Sequence, residues 1–292
     1  VPRHAAPIDL DPLERLQLER LAIDLDRLTP ASVLVEDLVD RILRNVTEDV
    51  DRERHYAGLA GHRAAAQYAN EDAVRYLSRA LELTPEETLE QRYDLLLARE
   101  KVLDLQGERE AQEQDIEALR MLAEAMSDSG KKAEATLRRA YLTEVLGQYP
   151  LAISAAQETI LFAQRTQDAG QLASGYLQWG RALWMQGDYV EARSKLSQAQ
   201  HMAGARATQV KADSLRNLGI VSFYMGDYHQ STSYIRQALS IYKQVGDRVG
   251  ASKALDSLGN ISAEQGNHNE AQDYLEQALR ACREFDQGGN VT

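Results

Sequence analysis

Long stretches of Ala and Leu interleaved with Gln, Glu and Arg favour helix over strand along most of this chain. Only six prolines interrupt them, and three (Pro2, Pro7 and Pro12) fall at the N-terminus. There, Asp11 followed by Pro12 is a helix-start signal. Leu16, Leu18, Leu21, Ile23 and Leu28 give that helix an apolar face. Thr29-Pro30 breaks it, and a second helix restarts over Val33 to Ile42. From about residue 54 a longer periodicity takes over and decides the fold.

Gly-Asp-Tyr stands at Gly187-Asp188-Tyr189 and again at Gly226-Asp227-Tyr228. Gly107-Glu108-Arg109 and Gly147-Gln148-Tyr149 precede these triplets, and Gly266-Asn267-His268 follows. The five glycines are spaced by 40, 40, 39 and 40 residues. Other positions keep the same phase. Seven residues before the glycines stand Ala140, Gly180, Gly219 and Gly259, with Glu100 as the exception. Five residues after them come Ala152, Ala192, Ser231 and Ala271, and twelve after come Ala199, Ala238 and Ala278. Extended backwards, the period puts a turn at Tyr68, with Gly61 before it.

Small residues recurring at one period mark the places where two antiparallel helices approach closely. Large residues such as Leu196, Ile235 and Leu275 fill the space beside each crossing. Glycine at each turn takes the left-handed conformation that ends a helix. A single helical hairpin cannot bury its apolar face, so neighbours must stack. The period therefore predicts six hairpins over residues 54–285, approximately 54–92, 93–132, 133–172, 173–211, 212–251 and 252–285. Residues 1–53 are either a helical cap on the first hairpin or the tail of a preceding domain. Residues 286–292 are a tail or the start of a truncated further repeat, and Val1-Pro2-Arg3 resembles the remnant of a cleaved tag. The expectation is all-α, about 14 helices with those of the N-terminal segment included.

Trp179-Gly180, Leu218-Gly219, Leu258-Gly259, the alanines of the second helices and Pro85 together resemble the tetratricopeptide repeat family. The resemblance implies a right-handed superhelical solenoid. A 40-residue unit is similar to the longer-helix variety of kinesin light chains, spindle-orientation adaptors and bacterial peptide-sensing regulators. The second unit departs most, with Glu100, Arg109, Gln112 and Leu119 at positions expected to be small or aromatic. The stretch from His55 to Leu105 resembles the repeat region that follows the ATPase module in large bacterial signal-transduction NTPases.

Charge and composition narrow the chemistry. The net charge is −12, with 45 acidic against 33 basic residues, which argues against a nucleic-acid partner. The lone Cys282 has no disulfide or thiolate-metal partner in the chain and is expected to be a buried thiol. No run of about 18 apolar residues exists, and no secretion signal is visible, so a cytoplasmic setting without a membrane partner is expected. Gly130-Lys131-Lys132 lacks the glycine and hydroxyl of a phosphate loop. His55 and His62 have no carboxylate or thiol to complete a metal site. Asn45-Val46-Thr47 and Asn290-Val291-Thr292 match the glycosylation sequon. No nucleophile motif appears. Neither catalytic residues, metal nor cofactor are expected.

What remains is binding. By the resemblance, the first helix of each hairpin lines a concave surface. Units four to six would then present Gln178, Arg181, Trp184, Arg216, Asn217, Ile220, Tyr224, Lys253 and Asn260 to a protein or peptide segment, which could belong to the parent protein itself. Aromatic anchors, arginines and side-chain amides are what such a surface uses. An alternative reading packs Trp184, Phe223 and Tyr224 between adjacent hairpins. Two roles stay open: a sensor or regulatory segment of a larger bacterial signalling protein, and a free-standing peptide receptor or adaptor of the quorum-sensing-regulator type.

Overall fold

The computed structural model describes residues 50–204 and 208–288. Within them the chain forms helices and no strand. These are α1 (Val50–Ala66), α2 (Asn70–Leu83), α3 (Leu89–Gln106), α4 (Arg109–Ala125), α5 (Ser129–Val145) and α6 (Tyr149–Thr166). They continue as α7 (Ala169–Met185), α8 (Tyr189–Ala203), α9 (Thr208–Tyr224), α10 (Tyr228–Val245), α11 (Arg248–Glu264) and α12 (His268–Gly288). The two further helices expected over residues 1–49 lie outside the described residues, as does the side chain of Cys282. None of the helices described is long and apolar enough to cross a membrane.

One turn serves to end a helix and begin the next. At Gly187 the backbone is left-handed (φ 87°), which a side chain would strain. It lets the Gly187 amide reach the Trp184 carbonyl at 2.9 Å and the Asp188 amide reach that of Leu183 at 3.0 Å. The Asp188 carboxylate then accepts from the Glu191 amide at 3.1 Å and caps α8. Gly226 and Asp227 repeat this between α9 and α10, where the Asp227 carboxylate accepts from the Gln230 amide at 3.0 Å. This is why Gly-Asp recurs with the period. Tyr68 takes the same left-handed place without a glycine, at φ 60°.

A second set of caps sits between hairpins. Asp128, Asp168 and Asp247 accept from the amides of Gly130, Gly170 and Gly250, each at 2.8 Å. First helices begin at residues 50, 89, 129, 169, 208 and 248, four ahead of the unit starts read from the sequence, and the aspartates cap those at 129, 169 and 248. The small-residue columns mark crossings, whereas the aspartates set the ends.

Crossings follow one design. A Cβ added to Gly180 would stand 2.6 Å from Leu196 Cγ, and one on Gly219 would stand 2.5 Å from Ile235 Cδ1. Gly61 meets Leu77 at 2.6 Å and Gly259 meets Leu275 at 2.8 Å in the same way. The helices can close only because those positions lack a side chain.

Residues up to Ala118 and from Leu119 onward cluster into two compact units, the division falling within α4. In the first, Ala64, Ala73, Tyr76 and Val102 form a small core, and Arg92 of α3 donates to the Thr84 carbonyl at 2.8 Å beyond the end of α2. The second hairpin replaces the glycine crossing with a polar one. Glu100 is fully buried and accepts from Gln112 Nε2 at 2.8 Å. Arg109 in turn donates to Gln112 Oε1 at 2.6 Å and to Asp104 at 2.7 Å. Three of the four residues that break the periodic pattern, Glu100, Arg109 and Gln112, are thus linked to one another. In the second unit, Leu196, Leu218 and Val221 form one core cluster, and Ile235, Ala238, Tyr242, Leu258 and Ile261 another.

Two stability outcomes follow. Ala238 is fully buried, so Ala238→Leu should cost about 1–3 kcal/mol through overpacking, read as a lowered urea midpoint. Gly219→Ala should also destabilise, although alanine gains about 1 kcal/mol of helix propensity over glycine. Ile235→Ala opens room for the new methyl, so the double variant should lose less than the sum of the singles by roughly 0.5 kcal/mol or more. Strict additivity would disprove the crossing contact.

Candidate binding groove

The first helices of the second unit present a band of side chains whose chemistry changes along it. On α5 and α7 the charges are matched internally. Arg181 donates to Glu144 at 2.6 Å, and its guanidinium lies 5.7 Å from the Tyr141 ring centre. Gln178 is fully buried and also donates to Glu144, with a longer contact of 3.4 Å to the Ala140 carbonyl. Its Oε1 finds no partner among the described residues. Burial pushes the Glu144 carboxyl above its ordinary value, while Arg181 and Gln178 act the other way. Burial likewise raises the Tyr141 phenol.

On α9 a second, partly buried pair anchors the band. The Tyr242 hydroxyl of α10 donates to Asp213 Oδ1 at 2.6 Å. Asp213 is raised by burial, against the pull of the Tyr242 hydrogen bond and of Arg216. The Tyr242 phenol is raised in turn, by burial first and by Asp213 second. Asn217 is also buried, and its amide donates to the Asp213 carbonyl at 2.8 Å.

Between α9 and α12 the band opens into a cavity of about 770 Å³. Its walls carry Trp184, Arg216, Ile220, Phe223 and Tyr224 from α7 and α9, and Lys253, Asp256 and Asn260 from α11. Tyr224 is the hub of an aromatic cluster. It stacks on Trp184 at 5.7 Å and on Tyr189 at 5.5 Å, and meets Phe223 edge-on at 5.6 Å. It is nonetheless 53% exposed, so these rings both pack between hairpins and present a face to the cavity.

Six of the nine residues singled out from the sequence line this cavity: Trp184, Arg216, Ile220, Tyr224, Lys253 and Asn260. The structure places the other three elsewhere. Gln178 and Asn217 are buried, with their amides engaged inside the fold, and Arg181 is held by Glu144. Helical phase brings a residue to the right face but does not tell whether a neighbouring helix already satisfies it. Asn217→Ala is accordingly a change to the packed interior, not to the surface alone. The cavity also has a wall that the first-helix reading missed, made by Leu275, Ala278 and Leu279 of α12. Their signal was in the sequence, since Leu275 and Ala278 belong to the crossing columns.

A pH dependence follows from the raised carboxyls. A carboxyl raised on folding stabilises the fold when protonated, and that contribution is lost as pH rises through the folded value. The window opens upward from the ordinary values of 4.5 for Glu144 and 3.8 for Asp213. Glu144→Gln removes the dependence at its site. The variant's melting temperature relative to wild type should therefore rise as the pH is taken upward from 4.5. A difference that is flat or falls with rising pH would contradict the raised carboxyl.

Residues 211–284 match the family model of the tetratricopeptide repeat. Among solved structures, the apo form of RapI superposes with a TM-score of 0.71 at 13% identity, covering 94% of this chain and 98% of that one. A Rap protein complexed with Competence and Sporulation Factor gives 0.68 at 15% identity, over 94% of this chain and 72% of that one. A signal transduction ATPase with numerous domains from Pyrococcus horikoshii, bearing a tetratricopeptide repeat sensor, gives 0.63 at 14% identity. That match covers 94% of this chain and 44% of the other. No curated protein matches the chain in sequence. The hairpins within residues 211–284 match the tetratricopeptide repeat, and the chain as a whole shares the all-α, tetratricopeptide-like fold of these structures.

Proposed function

We propose that this chain is a non-catalytic scaffold that binds a segment of another protein, or of its own parent protein, in the cavity between α7 and α12. The observation that carries the reading is the cavity itself. It offers about 770 Å³ with aromatic and aliphatic walls and a few charged and amide groups at Arg216, Lys253, Asp256 and Asn260. Apolar side chains of the segment would seat against Ile220, Phe223 and Tyr224. Carboxylates flanking them would meet Arg216 and Lys253, and an acidic-apolar segment fits best. Arg181 contributes little, because binding would have to compete with Glu144 for it.

The setting we propose is the sensor or regulatory segment of a larger bacterial signalling protein of the signal-transduction ATPase type, in the cytoplasm. The likeness to a tetratricopeptide sensor within such an ATPase supports it. A free-standing peptide receptor is the second reading. It is supported by the likeness to RapI over 98% of that chain, and by a similar Rap protein complexed with Competence and Sporulation Factor. Phosphate-loop motifs upstream in the full gene would favour the first reading.

The test is selection of displayed random dodecapeptides against the chain, followed by affinity measurement of the recovered peptides. Tyr224→Ala should weaken them by about 2 kcal/mol or more, as for a central aromatic anchor. Arg216→Gln should weaken acidic peptides more than neutral ones, and Arg181→Ala should leave affinity within about twofold. Peptides that bind Tyr224→Ala and Arg216→Gln as tightly as wild type would place the site outside this cavity.

A further inference from the structure

The arginine on the cavity wall belongs to a set of three residues that the fold holds together. Arg216 follows Asp213 by about one turn of α9, so the two project from one face of that helix. The Tyr242 hydroxyl of α10 donates to Asp213 Oδ1 at 2.6 Å. Arg216 donates to the oxygen of the same hydroxyl and attracts the Asp213 carboxylate. The hydroxyl thus stands between the two charges, unlike the direct pairing of Arg181 with Glu144. Tyr242 is itself held in place. Its ring is fully buried in the cluster of Ile235, Ala238 and Leu258, and a side chain at Gly250 of α11 would collide with it. Arg216 lines the cavity, whereas Asp213 and Tyr242 are not among its walls. The positive charge that Arg216 offers is therefore already shared with a carboxylate inside the fold.

We propose that Asp213 is a built-in counter-charge for Arg216, so that an anionic group on an incoming segment competes with Asp213 for the arginine and is held more tightly when Asp213 carries a proton. The proposal rests on the segment-binding reading above and adds regulation by pH to it. An anion beside Arg216 and a proton on Asp213 favour each other, because each relieves a repulsion between like charges. Linkage makes the two effects equal in size. Burial raises the Asp213 carboxyl above its ordinary value of 3.8, which brings proton uptake to milder pH. Tyr242 of α10, Arg216 of α9 and Arg181 of α7 pull it down, and Asp247, the cap of α11, pushes it up. The Tyr141 phenol of α5 is within reach of the same carboxylate's charge.

The probe is a fluorescent dodecapeptide of leucine and serine bearing two cysteic acid residues, whose sulfonates stay ionised as the pH is varied. Its control carries serine in place of both. Asp213→Asn keeps an acceptor for the Tyr242 hydroxyl. At about pH 7 it should bind the sulfonate peptide at least about threefold more tightly than the wild-type chain does, and the control within about twofold. That ratio should close toward one as the pH falls and the wild-type carboxyl takes up its proton. Contributions from other carboxyls cancel in the ratio. A ratio near one at neutral pH, a ratio equal for both peptides, or one that does not close with acid would overturn the proposal. Carbon NMR of the Asp213 carboxyl, assigned with Asp213→Asn, reads the coupling without any peptide. Arg216→Gln should move its titration midpoint upward, since the arginine holds it down. An unmoved midpoint would also overturn the counter-charge. If the midpoint moves but the sulfonate peptide does not bind, or binds Arg216→Gln as tightly as wild type, the segment-binding reading falls, and the regulation falls with it.

Discussion

The close approach of two helices over a missing side chain is the constraint on which the second unit depends. At Gly219 there is no room for even a methyl group beside Ile235, and Gly180 and Leu196 stand in the same relation. A large aliphatic residue can reach the middle of the hairpin only because its partner has surrendered its own side chain. The first helix of the next hairpin then packs over that aliphatic residue. Burial of Ile235 therefore links α9, α10 and α11 in one contact set. The lining of the cavity inherits its geometry from this arrangement, since Ile220 follows Gly219 directly and Asn260 follows Gly259.

The two ends of the binding band illustrate how a repeated scaffold carries unlike chemistry. At Glu144 the Arg181 guanidinium and the Gln178 amide N–H already share one carboxylate, and a ligand would have to break existing bonds to engage them. Around Tyr224 the rings are stacked but half open, and the charges of Lys253 and Asp256 face solvent. Desolvating a matched ion pair costs more than covering an apolar wall. Binding energy is thus more available at the second end than at the first, although both stand on equivalent helices.

Much of this was legible in the sequence, and for identifiable reasons. Gly187-Asp188 and Gly226-Asp227 are read correctly as turns because the left-handed residue and the cap are both local requirements. The crossing columns are legible because close approach permits few residue types. The unit starts read from the small-residue columns lie four residues inside the first helices, whose ends at α5, α7 and α11 are marked instead by the capping aspartates at 128, 168 and 247. Gln178 and Asn217 were assigned to the surface on helical phase alone. Their burial depends on neighbours nearly one repeat away in sequence or on their own backbone. The Glu100–Gln112 pair was visible only as two separate departures from the pattern. Twelve residues separate them, and nothing in either alone announces the other.

The turns between paired helices have a consequence for how such a chain changes over generations. The α7–α8 and α9–α10 hairpins each carry their own stop and start signals, a left-handed glycine with open space around it and an aspartate that caps the second helix. Within each, the crossing uses the same chemistry, one small residue against one aliphatic. An in-frame duplication or loss of about one repeat length would join surfaces that already match, by the nearest-neighbour logic of stacked repeats. Recombination between the repeats of one gene can thus lengthen or shorten the stack without inventing a new interface. The binding band is then free to diverge on the lining positions while the punctuation is copied unchanged.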